Sequence, residues 1–169
     1  MRALPWIISL LIANTLLGCQ PMRRLTTNRT FRKATYVDSA ALQGEETIVR
    51  GSHTILQYSV KTNQPRVAHS MHVTSFWLTV PSINVLPIGT RITLPDSRIT
   101  LRGYTFGGGM FGYDFPAVTG SVKRKASTPS SHTIRLRLRY LSRGNRKQRL
   151  NRRVTFLRDS TFFARKEQK

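Results

Sequence analysis

Ile134-Arg-Leu-Arg-Leu-Arg-Tyr140 is the stretch that decides the fold. Ile134, Leu136, Leu138 and Tyr140 alternate with Arg135, Arg137 and Arg139. A β-strand sends successive side chains to opposite faces, so this run puts its apolar residues on one face and three guanidiniums on the other. One face is then made to pack and the other to stay wet.

Working outward, Val154 and Phe156 supply a partner strand beyond a polar basic loop, Ser142 to Asn151, that contains Gly144-Asn145. Toward the N-terminus, Ser127-Thr-Pro-Ser-Ser131 reads as a loop, and Val118, Gly120 and Val122 alternate before it. Gly107-Gly-Gly109 and Gly112 mark another loop, with Ile99, Leu101 and Thr105 ahead of it. Ile92 and Leu94 alternate up to the turn signal Pro95-Asp96-Ser97, and Leu56, Tyr58 and Val60 form a further strand. From Val67 to Val80 the apolar parity changes: Val67, Met71 and Val73 are odd, whereas Phe76, Leu78 and Val80 are even. A bulge near Ser75 or burial on both faces would account for that. No helical period is sustained over ten residues, and no internal repeat is present. The pattern predicts an all-β domain over residues 34–165, a β-sandwich or small barrel, ending in a basic tail at 166–169.

The charge is lopsided. The 169 residues carry 28 Lys and Arg against 7 Asp and Glu, a formal net charge of +21. Between Gly120 and Lys169 there are 16 basic residues and 2 acidic ones. Such a field favours an anionic partner and adds self-repulsion to the compact state. Apolar residues make up 39 % of the chain, as in a globular domain and not a disordered one. There is one cysteine, so no disulfide forms within the chain.

That cysteine stands in a particular place. Met1-Arg2 is a short positive start, followed by the 12 mostly apolar residues from Trp6 to Leu17. This stretch is too short for a membrane-spanning helix, which needs about 20 residues, but it suits the hydrophobic region of an export signal. It ends in Leu16-Leu17-Gly18-Cys19, which resembles the lipobox of bacterial lipoproteins. The resemblance implies cleavage after Gly18, a diacylglyceryl group on the Cys19 thiol, and acylation, for example by palmitate, of the new amine. Gln20 in place of Asp implies the outer membrane, facing the periplasm. Residues 1–18 are then the signal peptide and 19–33 a lipidated basic tether, with no clear periodicity and five basic residues to rest on anionic headgroups.

Four constellations bear on chemistry. The first is a candidate anion-binding set: Arg135, Arg137 and Arg139 on the strand, with Arg143, Arg146, Lys147, Arg149, Arg152 and Arg153 in the adjoining loop. Alternate strand residues stand about 6.8 Å apart, and guanidiniums grip phosphates and carboxylates bidentately. Alternating arginine is also what the wet face or protected edge of a half-buried strand shows. No aromatic stacking surface accompanies these charges, which argues against nucleic acid. The second is His69-x-x-His72, whose spacing puts the two rings on opposite strand faces, so no metal site is expected. The third is hydrolytic: Ser52-His53 and Ser131-His132, with Asp96 and Asp114, lack any nucleophile-elbow motif, and no catalytic set and no cofactor are expected. The fourth is the loop Gly107–Pro116, whose Met110, Phe111, Tyr113 and Phe115 are expected to fold inward as a cap on the core.

The expectation is therefore a non-enzymatic, membrane-anchored envelope lipoprotein whose basic β-domain binds or scaffolds an anionic partner. Anionic lipid, lipopolysaccharide, peptidoglycan or an acidic protein would qualify. A structural subunit of an envelope or secretion assembly, or an enzyme with a spatially assembled site, are the alternatives.

Overall fold

A computed structural model describes residues 29–43, 47–63, 71–107, 110–142 and 145–167. The signal peptide, Cys19 and most of the expected tether lie outside these residues. The strands are β1 (Arg29–Gln43), β2 (Thr47–Arg50), β3 (His53–Asn63), β4 (His72–Val80), β5 (Arg91–Leu94), β6 (Thr100–Gly107), β7 (Met110–Asp114), β8 (Val118–Thr128), β9 (Ser131–Ser142) and β10 (Arg146–Arg158). One short helix, α1 (Phe162–Glu167), follows them, and no described helix is long and apolar enough to cross a membrane.

The all-β expectation holds. The strands form one ten-stranded sheet in the order β5-β8-β9-β10-β1-β3-β4-β6-β7, with β2 added to β1, and this sheet curls into a half-barrel. Neighbours are antiparallel except β1 and β10, which run parallel and pair only at Thr35–Leu157 and Tyr36–Arg158. Beyond that contact a cleft of about 430 Å³ separates β10 from β1, lined among others by Arg32, Tyr58, Arg152 and Arg153.

The inner face of the curl holds the main core. Tyr36, Leu56, Tyr58, Phe76, Leu78, Leu94, Val122, Ile134, Leu136, Leu138 and Phe156 meet there, each nearly or fully buried. A second, smaller cluster lies on the outer face: Val37, Ala40, Ile48, Ile55 and Trp77, covered by Phe162 and Phe163 of α1. A register shift between Val37 and Ala40, with Ser39 at φ 54°, lets an odd and an even residue of β1 share that face. Among the described residues, both clusters and the partly buried side chains packed on them lie between Ala34 and Phe163.

Several boundaries move. β1 starts at Arg29, so the last five residues of the expected tether are strand. Arg146 to Asn151, expected in a loop, belong to β10, which pairs with β9 over twelve successive positions from Arg146–Ser142 to Leu157–Ser131. Backbone pairing with β9 holds these polar residues extended whatever their side chains prefer. The Gly-rich loop is in part β7, paired to β6. Two of its aromatic residues turn inward: Phe115 is buried, 4.5 Å from the Tyr140 ring, and Tyr113 packs against the main core; the side chains of Met110 and Phe111 lie outside the described ones. β4 carries no bulge; Ser75, Phe76, Trp77 and Leu78 are buried in succession because the two clusters cover its two faces.

Candidate anion-binding face

The outer face of β5, β8, β9 and β10 is built by register. Leu136 and Leu138 pair with Val122 and Gly120 of β8 and fill the core, so the residues between them face outward. Opposed residues on paired strands point the same way. Arg91 therefore stands beside Lys123, Lys123 beside Arg135, and Arg135 beside Arg153: one row of four cations across four strands. Neighbouring strands are about 4.8 Å apart. The next row is Thr93, Ser121, Arg137 and Asn151; the one after it is Thr119, Arg139 and Arg149. Lys125, two residues beyond Lys123 and next to a register shift between Arg124 and Ala126, lines a small depression with Arg91, Ser121, Lys123, Arg135 and Arg137.

Like charges this close disfavour one another. The Lys125 ammonium is pushed below its ordinary pKa, chiefly by Lys123, then by partial desolvation, then by Arg135, Arg153 and Arg137. Among the described residues no carboxylate pairs with a member of the row; the ion pairs lie elsewhere, among them Arg98–Asp96 at 2.9 Å, Arg102–Asp114 at 3.5 Å and Arg158–Asp38 at 3.3 Å. The face holds concentrated positive charge in want of counter-charge.

Of the nine candidate cations read from sequence, Arg135, Arg137, Arg139, Lys147, Arg149 and Arg153 share this outer face. Arg146 and Arg152 do not. They pair with Ser142 and Leu136 and so have inward parity, exposed at the open end of the curl. Arg143 lies outside the described residues. Arg91, Lys123, Lys125 and Ser121 were missed, although Arg91-Ile-Thr-Leu94 and Ser121-Val-Lys123 carry the same alternation in shorter form.

The histidines, serines and carboxylates weighed from the sequence take other partners. Asp96 is clamped by two hydrogen bonds from the Arg98 side chain and one from its amide, which hold its carboxyl at about 2. Asp114 pairs with Arg102. Ser52 meets His53, at 3.2 Å, in an exposed turn. His132 bonds not to Ser131 but to Ser127, whose Oγ lies 2.8 Å from Nδ1. His72 is exposed at the start of β4 and His69 lies outside the described residues; among those residues no group of His, Cys, Asp and Glu could hold a metal.

No protein-family model matches the chain, and neither a curated protein nor a solved structure does.

Proposed function

We propose that this chain is a non-enzymatic, lipid-anchored protein of the bacterial envelope, whose cationic sheet face lies against the anionic headgroups of the membrane that holds Cys19. The observation that carries this reading is the four-strand row Arg91–Lys123–Arg135–Arg153, which turns an alternating sequence into a two-dimensional field of charge. Distance supports it too. Ten Cα–Cα steps separate Cys19 from Arg29, the start of β1. A fully extended chain of that length spans at most about 35 Å. Arg32 of β1 and Arg153 of the row line one cleft, so a tether leading into β1 would meet the fold beside the charged face. A lipidated Cys19 would hold that face at the membrane surface, and cationic attraction would add to the acyl anchor as a second signal.

The test is sedimentation with vesicles containing anionic lipid, using the chain from Gln20 onward so that the acyl anchor plays no part. Replacing Arg135, Arg137 and Arg139 together with Gln should weaken binding by up to about a hundredfold, from about 1 kcal/mol of attraction per charge. Far-ultraviolet circular dichroism should be unchanged, since side chains on the outer face leave no hole in the core. Raising salt should mimic the substitution, because screening acts over about 8 Å at physiological ionic strength. Equal binding by the triple variant and its parent would reduce the arginines to a solvated strand face.

A further inference from the structure

The charged field has a focus. Arg91, Lys123, Lys125, Arg135 and Arg137 surround a depression of about 70 Å³ with the Ser121 hydroxyl among its lining groups. That is room for a single tetrahedral oxyanion, and far too little for a peptide or a sugar. All the lining residues are polar and every one except Ser121 is a cation. Lys123, Arg135 and Ser121 are half-buried among their neighbours, and the exposed Arg91, Lys125 and Arg137 complete the lining. Lys125 follows Lys123 by two residues on β8 and lines the same depression, beside the register shift between Arg124 and Ala126. From this geometry we infer that the depression is a phosphate-monoester site: it takes the doubly charged terminal phosphate of a lipid headgroup in preference to the singly charged diester.

The inference rests on the membrane-facing reading above and deepens it. A diester phosphate exposes two charged oxygens and one negative charge, whereas a monoester offers three oxygens and nearly two charges at pH 7. The three arginines can grip pairs of phosphate oxygens, and the two lysines add point charges without directional demand. The serine hydroxyl can donate to a remaining oxygen. Mutual repulsion of the lining cations, relieved only by an anion, makes the empty depression electrostatically expensive; a dianion relieves more of it than a monoanion does.

Both lipid phosphate and free phosphate carry this chemistry, so the experiment has an arm for each. The chain from Gln20 is sedimented with phosphatidylcholine vesicles containing phosphatidic acid, a monoester, or phosphatidylglycerol, a diester, at matched surface potential. Binding to the monoester vesicles should be at least about tenfold tighter, or about 1.4 kcal/mol. The preference should shrink below about pH 6, where the monoester loses its second charge. Lys125→Gln with Arg137→Gln should abolish the preference while diester binding falls only a few-fold; Ser121→Ala should reduce the preference with no change in charge. Calorimetry with inorganic phosphate forms the second arm: saturable heat at millimolar phosphate, lost in the same double variant, assigns free phosphate as well, and its absence beside a monoester preference assigns the headgroup. Equal binding to both vesicles and no heat with phosphate would overturn the site and leave the membrane-facing reading standing. A monoester preference that survives the double variant would also overturn it. Failure to bind either vesicle would sink both.

Discussion

His132 shows how far a single residue can be read. It is 5 % exposed, its ring lies 4.4 Å from that of Tyr36, and its Nδ1 meets the Ser127 hydroxyl across the β8–β9 turn. Burial pushes its imidazole below the ordinary pKa; Arg124 and Arg158 push the same way, and Asp38 opposes them. The sign follows from linkage. With a folded pKa below the unfolded value of about 6.5, the unfolded chain binds the proton more readily. Stability is therefore full above about pH 6.5 and is lost as pH falls from there toward the lower folded value, at no more than about 1.4 kcal/mol per pH unit. Urea midpoints measured between about pH 7.5 and 5.5 should fall with acidity in the parent and fall less in His132→Asn; parallel curves would show that other groups carry the dependence. Parity alone places His132 with Ile134, on the inner face. Its partner was not legible, because adjacent Ser131 points to the opposite face and Ser127 arrives only through the pairing of two strands.

Elements were legible where one face is buried and the other wet. β5 and β9 announce themselves by alternation, and the Pro95-Asp96-Ser97 turn follows β5 as expected. Strands without an apolar period hide. The first residues of β1, Arg29 to Lys33, and the first half of β10 carry mostly polar side chains near the open cleft, and β7 was read as loop from its glycines. In β4 the change of parity was legible, and of its two explanations burial on both faces holds. The tightest constraint on the charged face is a glycine. Gly120 has φ 135°, and a Cβ there would collide with the Arg137 carbonyl, so β8 approaches β9 only without a side chain at that point. Gly120→Ala should cost about 1–3 kcal/mol of stability, from backbone strain and the lost close approach. Thermal denaturation checks this; an unchanged midpoint would mean that β8 shifts freely, and the register of Lys123 against Arg135 would not be rigidly held.

For the whole molecule the dominant fact is a net charge of +21 gathered toward one half of the chain and then, by the fold, toward one face. Repulsion among these cations opposes the compact state, and salt screens it. The melting temperature of the chain from Gln20 should therefore rise from low salt to about 0.5 M sodium chloride, where the Debye length has fallen to a few ångströms. Arg135→Gln with Arg153→Gln should raise it at low salt and flatten the rise, since both relieve the same repulsion; a melting temperature that falls with salt would show that the ion pairs of Asp38, Asp96 and Asp114 outweigh it. The sequence by itself determined the fold class, the parity of Arg135, Arg137 and Arg139, and the excess of charge, because each follows from local alternation or simple composition. The tertiary structure alone decided which cations meet. Strand order and register are set by which apolar faces pack together, and only that packing brings Arg91, Lys123 and Arg153, distant in sequence, into one row with Arg135, and turns Arg152 away from it.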